Sequence, residues 1–298
     1  MLAVDPSCPL TDFITAWDFS SPLAWLVIAV TASYTVGLVR LQRRSAGRSV
    51  SRARAVYAYT GLALLGLSLF GPLDAYAGRA FFIHMTQHLV LALITAPLLL
   101  AAGPMSALMW AMPEQLRLGL GGAFARQGAL RAALSFVTKP QVALPAFIGT
   151  FYIWHLPSAY DAALRNGAVH FVEHATMFFS GVLFWWPLIG PAPLRSPLSY
   201  PQRTVYLLAA VTPKALLGAI ITLSGRVLYR HYLSVPDVAG IPDEEDQVIS
   251  GLLMWVPGNF IFLAALTVLF FKWYQSEEGS LDGSPRQSPK HNGGGGSG

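Results

Sequence analysis

Two pairs of histidines, His84 with His88 and His170 with His174, are each spaced four residues apart. On a helix that spacing stacks both imidazoles on one face, about 6 Å apart along the axis. Gln87 shares the first face, and Glu173 and Met177 extend the second. A third stripe runs from Asp246 and Gln247 through Ser250 to Met254. Imidazole, carboxylate and thioether groups at comparable depths form a donor set for a metal ion. Copper fits best: imidazole serves either oxidation state and thioether favours Cu(I). Zinc is compatible with three histidines and a carboxylate. The candidate ligands are His84, His88, His155, His170, His174, Met177 and Met254, with Glu173, Gln87, Asp246 and His231 as auxiliary groups. Glu173 can act as ligand, as orienter of a neighbouring imidazole or as proton acceptor. No residue is assigned a catalytic role. Read blandly, a histidine near a span end is an interfacial hydrogen-bonding group, and Met177 and Met254 are packing residues.

The elements carrying these residues are apolar. Residues of the AVILMFWYC class make up 54% of the 298, and charged residues only 12%. One ordinary soluble core cannot hide so much apolar surface. Runs long enough to cross a bilayer as helix are expected at 23–41, 56–73, 81–101, 140–157, 168–190, 203–224 and 247–272. The chain therefore reads as all-α, a polytopic membrane protein of seven transmembrane helices. Its expected organisation is an extracytoplasmic segment at 1–22, a membrane domain at 23–275 and a polar tail at 276–298 that ends in GGGGSG and resembles an appended linker. The first twenty residues hold Asp5, Asp12 and Asp18 and no basic stretch, unlike a cleaved signal peptide. Cys8 is the sole cysteine, which excludes an intrachain disulfide, a Cys-X-X-Cys site or an iron–sulfur cluster within one chain.

Basic residues orient the spans. Arg40, Arg43, Arg44, Arg48, Arg52 and Arg54 lie between the first two, and alternate loops add Arg117, Arg126, Arg131, Lys139, Arg195 and Arg203. Those loops are expected in the cytoplasm, with the amino terminus outside and the carboxyl terminus inside. The opposite loops hold Arg79, Arg165, Arg226 and Arg230 against many acidic residues, so the net charge of +5 averages two unlike faces. The same rule accounts for the arginines without a nucleic-acid partner. All six candidate histidines then fall in the outer half and are expected to converge on one outward-facing site. Met105, Met109 and Met112 read as an interfacial amphipathic segment, and the pairs Trp185, Trp186 and Trp273, Tyr274 as aromatic belts. Pro97, Pro145, Pro213 and Pro257 interrupt four spans and can bend them. Lys214 lies near the middle of the sixth span, where an ammonium requires a partner.

The strings FFIHMTQHLVLALITAPLLLAAGP at 81–104, WHLPSAYDAALRNGAVHFVEHATMFFSGVLFWWP at 154–187 and DQVISGLLMW at 246–255 resemble the multispanning CtaG family of cytochrome c oxidase assembly proteins, the type associated with caa-type oxidases. The resemblance covers roughly 55–275, leaving the first span and the acidic loop at 237–246 outside the strongest match. It implies a multi-pass protein of the bacterial inner membrane, set among lipids. Its implied role is a metallochaperone-like assembly factor, not an enzyme, that supplies copper to haem–copper oxidase subunits during respiratory chain biogenesis. His84, His88, His155, His170, His174 and Asp246 carry over as motif positions.

Three other readings remain at this level. HFVEH at 170–174 fits the H-x-x-E-H pattern of inverted zinc peptidases, in which Glu173 would activate water. Facing histidines can hold noncovalent haem in a membrane cytochrome. A metal-free assembly scaffold would use the same histidines as hydrogen-bonding groups.

Overall fold

The computed structural model describes residues 10–44, 50–123, 128–191, 194, 196–236 and 240–282. Cys8, Arg48, Arg126, Arg195, Asp237 and most of the polar tail lie outside these. Among the described residues the secondary structure is helical, without strands. In chain order the helices are α1 Leu10–Thr15, α2 Pro22–Arg44, α3 Arg52–Leu69, α4 Pro72–Ala77, α5 Phe81–Ala102, α6 Met105–Ala111, α7 Glu114–Ala123, α8 Ala129–Val137, α9 Pro140–Trp154, α10 Pro157–Arg165, α11 Gly167–Ile189, α12 Tyr200–Thr222 and α13 Asp243–Asp282.

Among the described residues, five stretches are long and apolar enough to cross a membrane: α2, Arg52–Ala77, α5, α12 and the first 36 residues of α13. Of the other two expected spans, α9 has only 15 residues. It stops at Trp154 because Leu156, which precedes Pro157, is extended (ψ 129°), as the proline ring disfavours helix at the residue before it. Helix α11 has 23 residues but carries His170, Glu173 and His174. The outward faces match a lipid surround better than water: Phe260, Leu263, Phe270 and Phe271 are each more than half exposed.

Helix α13 packs along α12 and touches the start of α5, while α11 lies between α5 and α9. Their shared core includes Met85, Phe147, Met177, Phe184, Trp185, Met254 and Phe262. Lys214 projects into this core, where its Nζ donates to the Met254 carbonyl at 2.5 Å and lies 5.5 Å from the Phe262 ring centre. The methionine segment packs on α2 through buried Ala107 beside Gly37.

Helices α9, α12 and α13 continue through Pro145, Pro213 and Pro257. Pro97 acts differently: the preceding turn, Val90–Thr95, widens to a π-helix, and Ala96 N–H bonds Leu91 O. The wider turn keeps the carbonyl four residues back clear of the proline ring. It also strands the Ala92 carbonyl, whose i+4 donor is used elsewhere and whose i+5 residue is Pro97, without an N–H. The Trp185 indole N–H donates to that carbonyl at 3.0 Å. Trp185, expected in an aromatic belt, is thus 4% exposed and inside the bundle, whereas Trp273 and Tyr274 are exposed. Gly181 permits the close approach, since a Cβ there would stand 2.8 Å from Ala92 O. The π turn, Trp185 and Gly181 together lock α11 against α5, the two helices that carry the paired histidines.

Candidate metal centre

At the end of the bundle where α5 and α11 begin, the two histidine pairs meet. Helix α5 starts at Phe81 after Ala80, which offers no side-chain cap. The acceptor comes from another helix: the Asp246 carboxylate receives Phe81 N–H at 2.8 Å and Phe82 N–H at 2.7 Å. Helix α11 is capped by its own Asn166, whose Oδ1 accepts from Ala168 and Val169. Both starts are therefore fixed, and His84, His88, His170 and His174 follow within the next two turns.

One potential donor atom from each of His84, His170, Glu173 and His174 lies within 4.8 Å of the others. Glu173 is fully buried; its Oε2 is 3.5 Å from His84 Nε2 and its Oε1 is 3.6 Å from His88 Nε2. The ring centres of His170 and His174 are 4.1 Å apart, and those of His84 and His174 5.6 Å. No hydrogen-bond partner meets the Nε2 atoms of His84, His170 and His174 or either Glu173 oxygen. So many buried acceptors and donors without partners would be costly in a finished interior, and a cation among them answers all of them at once. Three imidazoles and one carboxylate therefore fit a metal ion by number and chemistry. His170 is the partly exposed member of the four.

The groups behind this set orient it. Tyr232 O–H donates to Ala77 O at 2.9 Å, and its oxygen lies 2.9 Å from the Tyr160 hydroxyl. The Tyr232 proton is committed to a carbonyl, so Tyr160 must donate to Tyr232. Tyr160 must then accept from His84 Nδ1, at 2.7 Å. That direction puts the His84 proton on Nδ1 and leaves Nε2 as a bare lone pair facing Glu173 and the other rings, the second-layer arrangement usual behind a metal-bound histidine. On the far side, Gln87 Nε2 donates to Ser68 O at 2.5 Å and to Asp74 Oδ1 at 3.2 Å, and lies 3.4 Å from His174 Nδ1.

His88 and His155 stand beside the four-residue set, their ring centres 6.1 Å apart. His231, in the loop after α12, is engaged elsewhere: its Nε2 bonds Gly78 O at 2.9 Å. This loop covers the histidine end of the bundle. Tyr229 donates to His155 O, and Gln247 holds the loop backbone through Leu228 N and Arg226 O. Gln247 is thus the residue of the third stripe that fastens the cover, while Asp246 serves as cap. Met177 and Met254 sit in the apolar core. Tyr160, Tyr232, Asp74 and Met85 were not among the candidates. Tyr160 and Met85 had a sequence signal, their positions within the strings at 154–187 and 81–104.

Among the described residues, helices long and apolar enough to cross a membrane thus bring together a buried His/Glu cluster that could hold a metal ion. The family model for cytochrome c oxidase caa3 assembly factors matches residues 32–276, and the chain belongs to that family. The match takes in most of α2 and the acidic loop, beyond the strings from which the resemblance was read. Among curated proteins the chain is similar to an uncharacterised protein of Mycobacterium leprae, 26% identical over 278 residues, and to uncharacterised proteins of Mycobacterium bovis and Mycobacterium tuberculosis, each 27% identical over 274 residues. These alignments cover 89% of this chain and 40% of each relative, so the chain spans about two fifths of their length. No solved structure matches the chain at a significant level.

Proposed function

We propose that this protein serves the assembly of a caa3-type haem–copper cytochrome c oxidase by holding copper, as cargo, among His84, His170, Glu173 and His174 and passing it to the catalytic subunit. The observation that carries this reading is the set of buried, partnerless Nε2 and carboxylate atoms within 4.8 Å of one another, in a chain of the oxidase-assembly family. Partly exposed His170 offers an entry and exit point for an ion that must be released again. Asp243, Glu244 and Glu245 open α13 at the same end and would concentrate cations there by long-range attraction.

The seven-span topology, with the amino terminus outside and the carboxyl terminus in the cytoplasm of a bacterial inner membrane, belongs to this proposal. The polar character of α11 comes from the donor residues themselves, so low hydropathy does not argue against its crossing. With Arg40, Arg43, Arg44, Arg52, Arg54, Arg117 and Arg203 near the opposite end, the positive-inside rule directs the histidine end outward.

The test is elemental analysis of detergent-purified protein prepared without chelators, with a visible spectrum, beside the His84→Ala/His174→Ala double variant. Bound copper that falls in the double variant supports the proposal. Zinc with hydrolysis that vanishes in Glu173→Gln, or a haem Soret band, replaces it; equal copper in both proteins overturns it.

A further inference from the structure

His155 and Met85 face each other beside the four-residue set. His155 Nδ1 lies 2.6 Å from Phe151 O, a carbonyl that can only accept. In a neutral ring the proton is therefore on Nδ1, and Nε2 carries a bare lone pair. Met85 Sδ, 3.4 Å from that nitrogen, has no hydrogen to give. The two residues are 5% and 0% exposed, so two electron-pair donors confront each other out of reach of water. Around a tetrahedral metal with bonds of about 2.0 Å to nitrogen and about 2.3 Å to sulfur, such donors stand about 3.5 Å apart.

His88 is one helical turn from Met85, 2% exposed, and neither of its ring nitrogens has a hydrogen-bond partner. We propose that Met85 Sδ, His155 Nε2 and one ring nitrogen of His88 form a second metal site, selective for Cu(I). Thioether favours Cu(I) over Zn(II) and Cu(II). The donor set is neutral, so a monovalent ion leaves less uncompensated charge in this interior than a divalent one. The first set includes Glu173 and offers harder ligation. His88 Nε2, 3.6 Å from Glu173 Oε1, puts this ring between the two sets. The second site extends the copper reading above but is tested apart from it.

The experiment is anaerobic titration of the detergent-purified protein with Cu(I) against a coloured competing chelator, with copper-edge X-ray absorption on the loaded samples. Wild type is expected to take about two equivalents, with a sulfur scatterer at about 2.3 Å. Met85→Leu is expected to take about one and to lose that scatterer, and His155→Gln to do the same. Zn(II) uptake by the two variants checks that the first site and the fold persist. Unchanged Cu(I) stoichiometry with the sulfur scatterer retained in Met85→Leu and His155→Gln overturns the second site. A His84→Ala/His174→Ala variant that keeps full Cu(I) uptake, while Met85→Leu loses one equivalent, overturns the first site and leaves this one standing.

Discussion

The carboxylate of Asp246 caps a helix to which it does not belong, receiving the N–H groups of Phe81 and Phe82 at the start of α5. A charged acceptor at a helix N-terminus satisfies otherwise free donors and complements the helix dipole. His84 lies one turn beyond this cap, so the contact transmits the position of α13 to the donor set. Asp246→Ala is expected to cost about 1–2 kcal/mol and to weaken metal retention. Asp246→Asn, which keeps one acceptor oxygen, should fall between. Thermal unfolding in detergent beside metal content checks this; equal retention in all three proteins would show that the cap does not position the site.

The Tyr232–Tyr160–His84 chain fixes which His84 nitrogen is free. Tyr160→Phe removes the acceptor for Nδ1–H without emptying the space the ring fills. The number of bound ions should stay constant while affinity falls by roughly 10- to 100-fold, the usual effect of deleting such a support. Competition titration reads the affinity and elemental analysis the number; unchanged affinity refutes the tautomer assignment.

Gly181 and Trp185 hold α11 on α5 through Ala92. A Cβ on Gly181 would stand 2.8 Å from Ala92 O and 2.9 Å from Ala92 Cα, both backbone atoms. Gly181→Ala should therefore destabilise by about 1–3 kcal/mol. Gly149→Ala, on α9 with nothing within 4 Å of the added carbon, should be neutral or stabilising by up to about 1 kcal/mol. Trp185→Phe strands the Ala92 carbonyl and should cost about 1–3 kcal/mol. Equal unfolding midpoints for Gly181→Ala and Gly149→Ala would contradict the close approach.

The all-helical framework and the meeting of the two histidine pairs were legible because both are local signals: apolar runs, and polar residues four apart. His84, His170, Glu173 and His174 meet as the stripes on their two helices implied, but five of the seven expected spans are long and apolar enough among the described residues, and His231 turns aside to Gly78. Partners joined across the bundle were not legible. Asp246 was visible as a polar residue at a span start, but its bonds reach α5, over 160 residues away in sequence. Tyr232 and Asp74 touch the site only because the loop after α12 and the short helix α4 fold over it. Trp185 was misjudged because a tryptophan near a span end suits a lipid interface and a bundle interior equally well. The deciding facts were the carbonyl stranded by Pro97 and the space left by Gly181, neither expressed in hydropathy.

Lys214 and Gly258 form a pair that sequence separation also conceals. The buried ammonium has the Met254 carbonyl and the Phe262 ring as neighbours, and a Cβ on Gly258 would collide with its Nζ. One carbonyl and a ring face offset little of what burying an ammonium costs, so Lys214→Met is expected to be neutral or stabilising for folding. Gly258→Ala should destabilise the wild type by about 1 kcal/mol, because the Lys214–Met254 hydrogen bond must shift, and cost measurably less beside Lys214→Met, which has no such bond to lose. The double-mutant cycle in thermal unfolding should thus give a coupling of about 0.5 kcal/mol or more. Additive effects would show that Gly258 is needed for some contact other than Lys214. If Lys214→Met folds normally yet abolishes oxidase maturation in cells, the charge is retained for the protein's work and not for its stability.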